Sequence, residues 1–313
     1  MTQPTVLLIV GEGRSGSTIL EEVLSQIDGV KALGEVQFIW KRGYFDDQLC
    51  GCGEPIRSCT FWRHIFENLL TRHGGYGASA SLAKTQYDSI LRFPVALLKH
   101  YSNAAKLAHR EYFRLIDEIY AQAAYDGDAT VIVDSSKSVH YAYFLLKYSK
   151  ADIKVLHLVR DPRGVTYSRS KIKIRTELIG REEPMPRLGF VKSSIRWLTV
   201  NWLVERLIKP SSSFYIRVRY EDFASHPSTE LGRALRNIGL MEMSAKIEQL
   251  FDGACFVVDR KAHSISGNPV RFTATLRRTI QLDETWRKKM PIYKQKITEL
   301  ITWPLGTKYG YIK

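Results

Sequence analysis

The segment from Val6 to Val10 is an apolar run of strand length, and it leads straight into Gly11-Glu12-Gly13-Arg14-Ser15-Gly16-Ser17-Thr18. Glycines let a backbone curl until successive N–H groups face one anion, and a helix starting near Ser17 adds the positive end of its dipole. The pattern approaches G-x4-G-K-S/T, the loop that holds nucleoside triphosphates, but Ser17 stands where the lysine belongs. That lysine serves the β- and γ-phosphates, so its replacement argues against ATP or GTP hydrolysis. Arg14 offers a cation elsewhere in the loop. The bland alternative is a strand-to-helix turn that binds nothing, which would carry the entropic cost of its glycines with nothing to offset it.

A second apolar run, Ile153–Val159, ends in Arg160-Asp161-Pro162-Arg163-Gly164-Val165-Thr166-Tyr167-Ser168. A guanidinium fork at a strand end and a hydroxyl two turns into the following helix can converge on one phosphate. An Arg–Asp turn that merely caps the helix is the competing account.

Taken in order, these segments resemble the sulfotransferases that use 3′-phosphoadenosine-5′-phosphosulfate (PAPS), in their bacterial and carbohydrate-type branch. Gly13 to Thr18 is similar to the family's 5′-phosphosulfate loop, and Arg160 with Ser168 has the spacing of its 3′-phosphate motif. The resemblance implies Arg14 on the 5′-phosphate and bridging oxygen, with Ser15, Gly16, Ser17 and Thr18 on phosphate oxygens. Val218-Arg219-Tyr220-Glu221-Asp222 is similar to the segment from which the family brings an aromatic against adenine. Tyr220 takes that place here, with core packing as its alternative role. His263 to Arg271 resembles the family's nucleotide-closing loop, which puts Gly267, Asn268 and Arg271 at the nucleotide.

Sulfuryl transfer needs a base for the acceptor hydroxyl and a cation for the oxygens that gain charge. Glu35 follows a short strand near Val30 to Leu33, where carbohydrate-type members carry a Glu, and is assigned as the base; helix capping is its alternative. Asp134-Ser135-Ser136-Lys137 ends the run Thr130–Val133 and is expected to face the cleft, because α/β sites form at strand C-termini. Small-molecule members place a catalytic His near here, but this chain has Lys137. A lysine is normally protonated, so Lys137 is assigned to sulfuryl oxygens and Asp134 is held in reserve as base.

These residues need a frame. Strand-length runs at Thr5–Val10, Thr130–Val133, Ile153–Val159 and Phe214–Val218 alternate with helical patterns, which reads as βαβ units around a parallel sheet. Phe113, Ile116, Tyr120 and Ala124 are spaced for one helix face, as are Val191, Ile195, Leu198 and Trp202. Pro227 starts a further helix with Leu231, Leu235 and Ile238 on its apolar side, and Gly239 stops it. The resemblance implies a P-loop-like three-layer α/β fold, read as a single domain over residues 1–313. A helical insertion at about 50–125 is expected to cover the cleft. Residues 175–188 read as a lid or a plain connector. Phe38-Ile39-Trp40 and Tyr141-Ala142-Tyr143-Phe144 could line an acceptor pocket, or simply fill the core.

The 46 Lys and Arg against 32 Asp and Glu give a net charge of +14, which favours anionic ligands without naming one. A P-loop kinase is disfavoured by Ser17. A non-catalytic nucleic-acid-binding protein is disfavoured by the lack of any zinc-finger, helix-turn-helix or RNA-binding aromatic motif. No apolar run approaches the ~20 residues of a membrane span, and Val6 to Val10 is short for a secretory signal, so the expected compartment is the cytoplasm. Expected partners are PAPS and a hydroxyl-bearing acceptor, a glycan or glycolipid first and a small phenol or alcohol second. No nucleic acid is expected, and no motif sets the oligomeric state. The reaction itself is expected to need no metal. Cys50, Cys52 and Cys59 with His64 form a C-x-C-x6-C-x4-H run that could hold zinc, although the first spacing is tight. A local disulfide or three reduced thiols are the alternatives, and Cys255 reads as a buried apolar residue.

Overall fold

Alternate residues of the strand Thr5–Val10 (β1) pack in opposite directions: Val6, Leu8 and Val10 join one apolar cluster, Leu7 and Ile9 another. A strand apolar on both faces belongs inside a parallel sheet covered on both sides. The computed structural model, which describes residues 3–74, 93–100, 102–180, 183–258, 262–267, 272 and 276–312, places it there. The strands Val30–Gly34 (β2), Val131–Lys137 (β3), Asp152–Val159 (β4) and Tyr215–Arg219 complete the sheet. Between the last two lies a small antiparallel pair, Ile174–Arg175 (β5) and Glu183–Pro184 (β6), which makes Tyr215–Arg219 β7. The main sheet runs in the order β2-β3-β1-β4-β7, with every pairing parallel.

One face carries the helices Thr60–His73, Asn103–Asp126 and Val139–Tyr148. The other carries Ser17–Leu24, Tyr220–Ser225, Pro227–Asn237 and Met241–Leu250. This is the expected three-layer α/β arrangement. Local chemistry sets the helix starts: Ser102 accepts from the Ala105 amide at 3.2 Å, Ser138 from Tyr141 at 3.3 Å and Asp161 from Arg163 at 2.8 Å. Pro227 opens its helix and Gly239, at φ 78°, follows the end of it.

The helix Phe190–Leu203 forms as expected but is turned about its axis, so that of its four expected face residues only Leu198 packs inward. Val191, Ile195 and Trp202 are exposed, whereas Ser193, Ser194, Trp197, Val200 and Asn201 are buried. Its inner face is held by specific partners. Trp197 donates to the Arg160 carbonyl at 2.9 Å, Asn201 Oδ1 lies 2.8 Å from His157 Nε2, and Ser194 donates to Thr298 at 3.2 Å. Small and polar residues let the helix Ile292–Lys308 approach closely, so satisfied polar contacts override the apolar stripe.

The insertion between β2 and β3 is helical in its described part. Its large side chains Phe61, Trp62, Phe66, Phe113 and Ile116 are spent on the sheet core, and among the described residues none from 50 to 126 lines the cavity described below. Among the described residues, the cavity wall draws instead on Gln37, Phe38 and Arg42 before the insertion and on the chain just after β6. Of the stretch 175–188, Met185 and Pro186 reach the cavity. No helix among the described residues is long and apolar enough to cross a membrane.

Candidate functional site

The sheet reverses its winding between β1, whose chain leads away to β2, and β4, whose chain leads on to β7. In open α/β sheets, ligands bind beyond the strand C-termini at such a switch point. A cavity of about 520 Å³ opens there, lined by Gly13, Arg14, Gly16, Ser17 and Thr18 after β1, and by Arg160 and Ser168 after β4. Glu35 after β2, Lys137 at the end of β3, Tyr220 after β7, and Gly267 line it too. Seven of its cations, Arg14, Arg42, Lys137, Arg160, Arg169, Lys173 and Arg196, face two carboxylates, Glu35 and Asp283. Such a lining suits a polyanion.

The glycines of the loop are demanded by contacts. At Gly16, with φ 92°, a Cβ would come within 2.6 Å of the Tyr220 ring. At Gly11, with φ 130°, it would meet the Leu158 carbonyl at 2.4 Å. Three of the non-glycine residues at positive φ, Arg14 (70°), Lys137 (61°) and Ser266 (60°), also line the cavity. Backbone strain of this kind gathers at ligand sites.

Arg160 is almost fully buried and reaches across the switch point. It donates to the Arg14 carbonyl at 3.2 Å, and to the carbonyl and carboxylate of Asp283 at 2.8 and 3.1 Å. Its guanidinium lies 4.5 Å from the Tyr220 ring centre, while its Nε has no protein partner. Burial would raise the Asp283 carboxyl, but hydrogen bonds from Thr285 and Arg160 outweigh it and hold Asp283 down at about 2. Helix capping falls to the neighbouring Asp161, which leaves Arg160 to the cavity.

Lys137 bridges two strand ends. Its Nζ lies 2.7 Å from Glu35 Oε1 and 3.1 Å from Ser17 Oγ, linking the carboxylate after β2 to the loop after β1. Asp134 is placed differently from the expectation that its whole segment faces the cleft. It is fully buried, accepting from Tyr120 Oη at 2.5 Å and from the Ser136 amide at 2.9 Å, and it does not line the cavity. Burial pushes its carboxyl up to about 6 against the pull of those bonds. Ser15 turns its hydroxyl back onto the Glu12 carbonyl at 2.7 Å and is also absent from the lining. Asn268 and Arg271 lie outside the described residues.

Several lining cations escape sequence reasoning. Glu12 is buried and pairs with both Arg169 and Arg196, the latter at 3.1 Å, so one carboxylate inside the loop fixes two arginines at the cavity. Burial and then the neighbouring Arg196 pull Arg169 down to about 10, which leaves it cationic at neutral pH. Arg42 stacks 3.7 Å from the Phe38 ring centre and bonds Ser266. Of the two aromatic segments offered for an acceptor, only Phe38 reaches the cavity; Ile39, Trp40, Tyr141 and Phe144 are buried in the core. The loop position of Glu12 was a readable signal, whereas Arg42, Arg169 and Arg196 sit on helical stretches with nothing local to mark them.

The cysteine cluster gathers as a group, with a different histidine from the one expected. His64 is exposed and bonds Asp126 at 3.0 Å, whereas His263 stands beside Cys50, Cys52 and Cys59. None of the four cysteines is in a disulfide, and Cys255 is partly exposed at the start of a short strand rather than buried.

The sequence profile of the sulfotransferase family matches residues 4–243. Among solved structures, the chain is similar to the sulfotransferase domain of the Synechococcus PCC 7002 olefin synthase, at 18% identity and TM-score 0.47, over 98% of this chain and 96% of that one. The sulfotransferase domain of the curacin biosynthetic pathway gives 15% identity and TM-score 0.49, over 98% and 99%. Sulfotransferase STF9 from Mycobacterium avium gives 11% identity and TM-score 0.47, over 100% and 78%. No curated protein sequence matches the chain.

Proposed function

The chain belongs to the sulfotransferase family, whose members transfer a sulfuryl group, and we propose that its donor is PAPS and its acceptor a hydroxyl on a carbohydrate or glycolipid. The observation that carries this reading is the shared cavity. The loop after β1 and the Arg160–Ser168 pair after β4 line one strongly basic space. Two separate anion grips on one nucleotide fit a donor with phosphate at both its 3′ and 5′ positions. Arg14, Ser17 and Thr18, with the backbone of Gly13 to Gly16, take the 5′-phosphosulfate. Arg160 and Ser168, which line the same cavity, take the 3′-phosphate. Tyr220 supports both grips from beneath, through its contacts with Gly16 and Arg160.

The acceptor oxygen attacks sulfur in line as the bond from sulfur to the bridging phosphate oxygen breaks. Glu35 removes the hydroxyl proton, and 3′-phosphoadenosine 5′-phosphate departs with the electron pair. Lys137, held between Glu35 and Ser17, offsets the charge that the sulfuryl oxygens gather in passage. These steps need no metal ion. The carbohydrate-type acceptor is supported by the position of Glu35 after β2.

Calorimetry with 3′-phosphoadenosine 5′-phosphate tests the donor. Arg160→Ala, with its fold checked by circular dichroism, should weaken binding by roughly 10- to 100-fold, the size of a lost charge-assisted bond. It should change adenosine 5′-monophosphate affinity little. Equal affinity of the unaltered chain for the two nucleotides would remove the 3′-phosphate assignment.

A further inference from the structure

Cys50, Cys52, Cys59 and His263 bring one ligand atom each to within 4.8 Å of all the others. The measured edges are 3.7 Å from Cys52 Sγ to Cys59 Sγ, 3.2 Å from Cys59 Sγ to His263 Nδ1, and 3.8 Å from Cys50 Sγ to His263 Nδ1. A tetrahedral zinc ion with ordinary bond lengths implies edges of about 3.8 Å between sulfurs and about 3.5 Å between sulfur and nitrogen. A disulfide needs sulfurs about 2.0 Å apart and leaves the histidine unexplained. The four groups come from stretches more than 200 residues apart in sequence, so local loop packing does not account for their meeting.

The surroundings are built for that meeting. The Gly53 amide donates to the Cys50 carbonyl at 2.9 Å, and the Cys50 amide donates to Glu54 at 2.8 Å, folding 50–54 into a tight knuckle. At Gly51 a Cβ would lie 2.3 Å from the Ala262 carbonyl and 2.5 Å from Ser264 Oγ, so only glycine lets the two segments touch. Phe61 stacks on the His263 ring at 4.8 Å, and Trp62 donates to the His263 carbonyl at 2.8 Å, fixing the imidazole from outside.

We propose that Cys50, Cys52, Cys59 and His263 bind a structural zinc ion that fastens residues 262–267 to the edge of the sheet beside the cavity. Four protein ligands leave no open coordination position, and none of the four lines the cavity, so the ion supports the site and takes no part in the transfer. Three residues along from His263 the chain is already in the cleft. Ile265 donates to Leu33 at 2.8 Å and accepts from the Glu35 amide at 2.8 Å, Ser266 bonds Arg42, and Gly267 lines the cavity.

Elemental analysis of the full chain, purified without strong chelators, tests this directly. About one zinc per chain is expected, released when a mercurial reagent titrates the thiols. His263→Ala and Cys59→Ser should each lower retained zinc roughly tenfold or more, whereas His64→Ala should keep it. Should those variants fail to fold, the unaltered chain exchanged with cobalt(II) gives an independent reading, the intense visible absorption of a tetrahedral thiolate complex. Removing the ion should also speed hydrogen exchange at the Glu35 and Ile265 amides, a readout that involves neither donor nor acceptor. Absence of stoichiometric metal, a Cys52–Cys59 disulfide in the intact mass, weak octahedral cobalt absorption, or zinc retained in His263→Ala would each overturn the proposal. So would unchanged exchange at those two amides once the metal is gone.

Discussion

Glu35 and Asp134 are both carboxylates at the C-terminal ends of neighbouring strands, and their surroundings give them opposite work. Glu35 faces the cavity with Lys137 at 2.7 Å, while Asp134 is sealed beneath it by Tyr120 and Ser136. Glu35→Gln should therefore keep affinity for 3′-phosphoadenosine 5′-phosphate and lower kcat by about 10² to 10⁴, the usual range for a lost general base. An unchanged kcat would remove Glu35 from the mechanism. For Asp134 the expectation concerns stability. Its carboxyl is raised from the usual range near 4 to about 6 by burial, so the folded chain holds the proton more tightly than the unfolded chain does. The resulting stabilisation is complete below the unfolded value and lost as pH rises through the folded one, about 3 kcal/mol between roughly pH 4 and pH 6. Urea unfolding across that window should show a shallower fall in Asp134→Asn than in the unaltered chain. Equal slopes would mean that another group carries the dependence.

At the scale of elements, the strands were legible because their signal is local. Each is a short apolar run ended by a turn, and each forms within a few residues of its expected limits, including β2. The loop after β1 was legible for the same reason: glycines, small hydroxyls and one arginine sit side by side in the chain. The direction of the Phe190–Leu203 helix was not. Its apolar residues suggest one buried face, yet Trp197, Asn201 and Ser194 have partners just after β4, on β4 and on the last helix that turn a different one inward. Periodicity reports which residues share a face, and only tertiary contacts decide which face turns inward. His263 was hidden for a related reason. The eye pairs the cysteines with His64 because it follows closely, whereas the fold adds residues 262–267 beside β2 as a late, parallel strand contact at Gly34 and Ile265. Gly34, at φ 78° with the Ile265 backbone 2.3 Å from where its Cβ would lie, records that contact in the sequence, but only once the partner is known.

Across the whole molecule, the cavity draws on residues from Gly11 to Asp283, and no single stretch of chain contains it. A ligand that grips both the loop after β1 and Arg160 after β4 thus binds the folded chain and has no comparable site on the unfolded one. Linkage converts such binding into stability. At a hundredfold excess over its dissociation constant, a ligand adds about 2.7 kcal/mol, which for a chain of this size is roughly 4 °C in Tm. 3′-Phosphoadenosine 5′-phosphate should produce that shift in differential scanning calorimetry. At the same concentration, adenosine 5′-monophosphate engages only one of the two grips and should give a small fraction of it. Arg160→Ala should bring the two nucleotides to the same small shift, because it removes the grip that tells them apart. A 3′-phosphate-dependent shift that survives in Arg160→Ala would place the second grip elsewhere among the cations of the cavity.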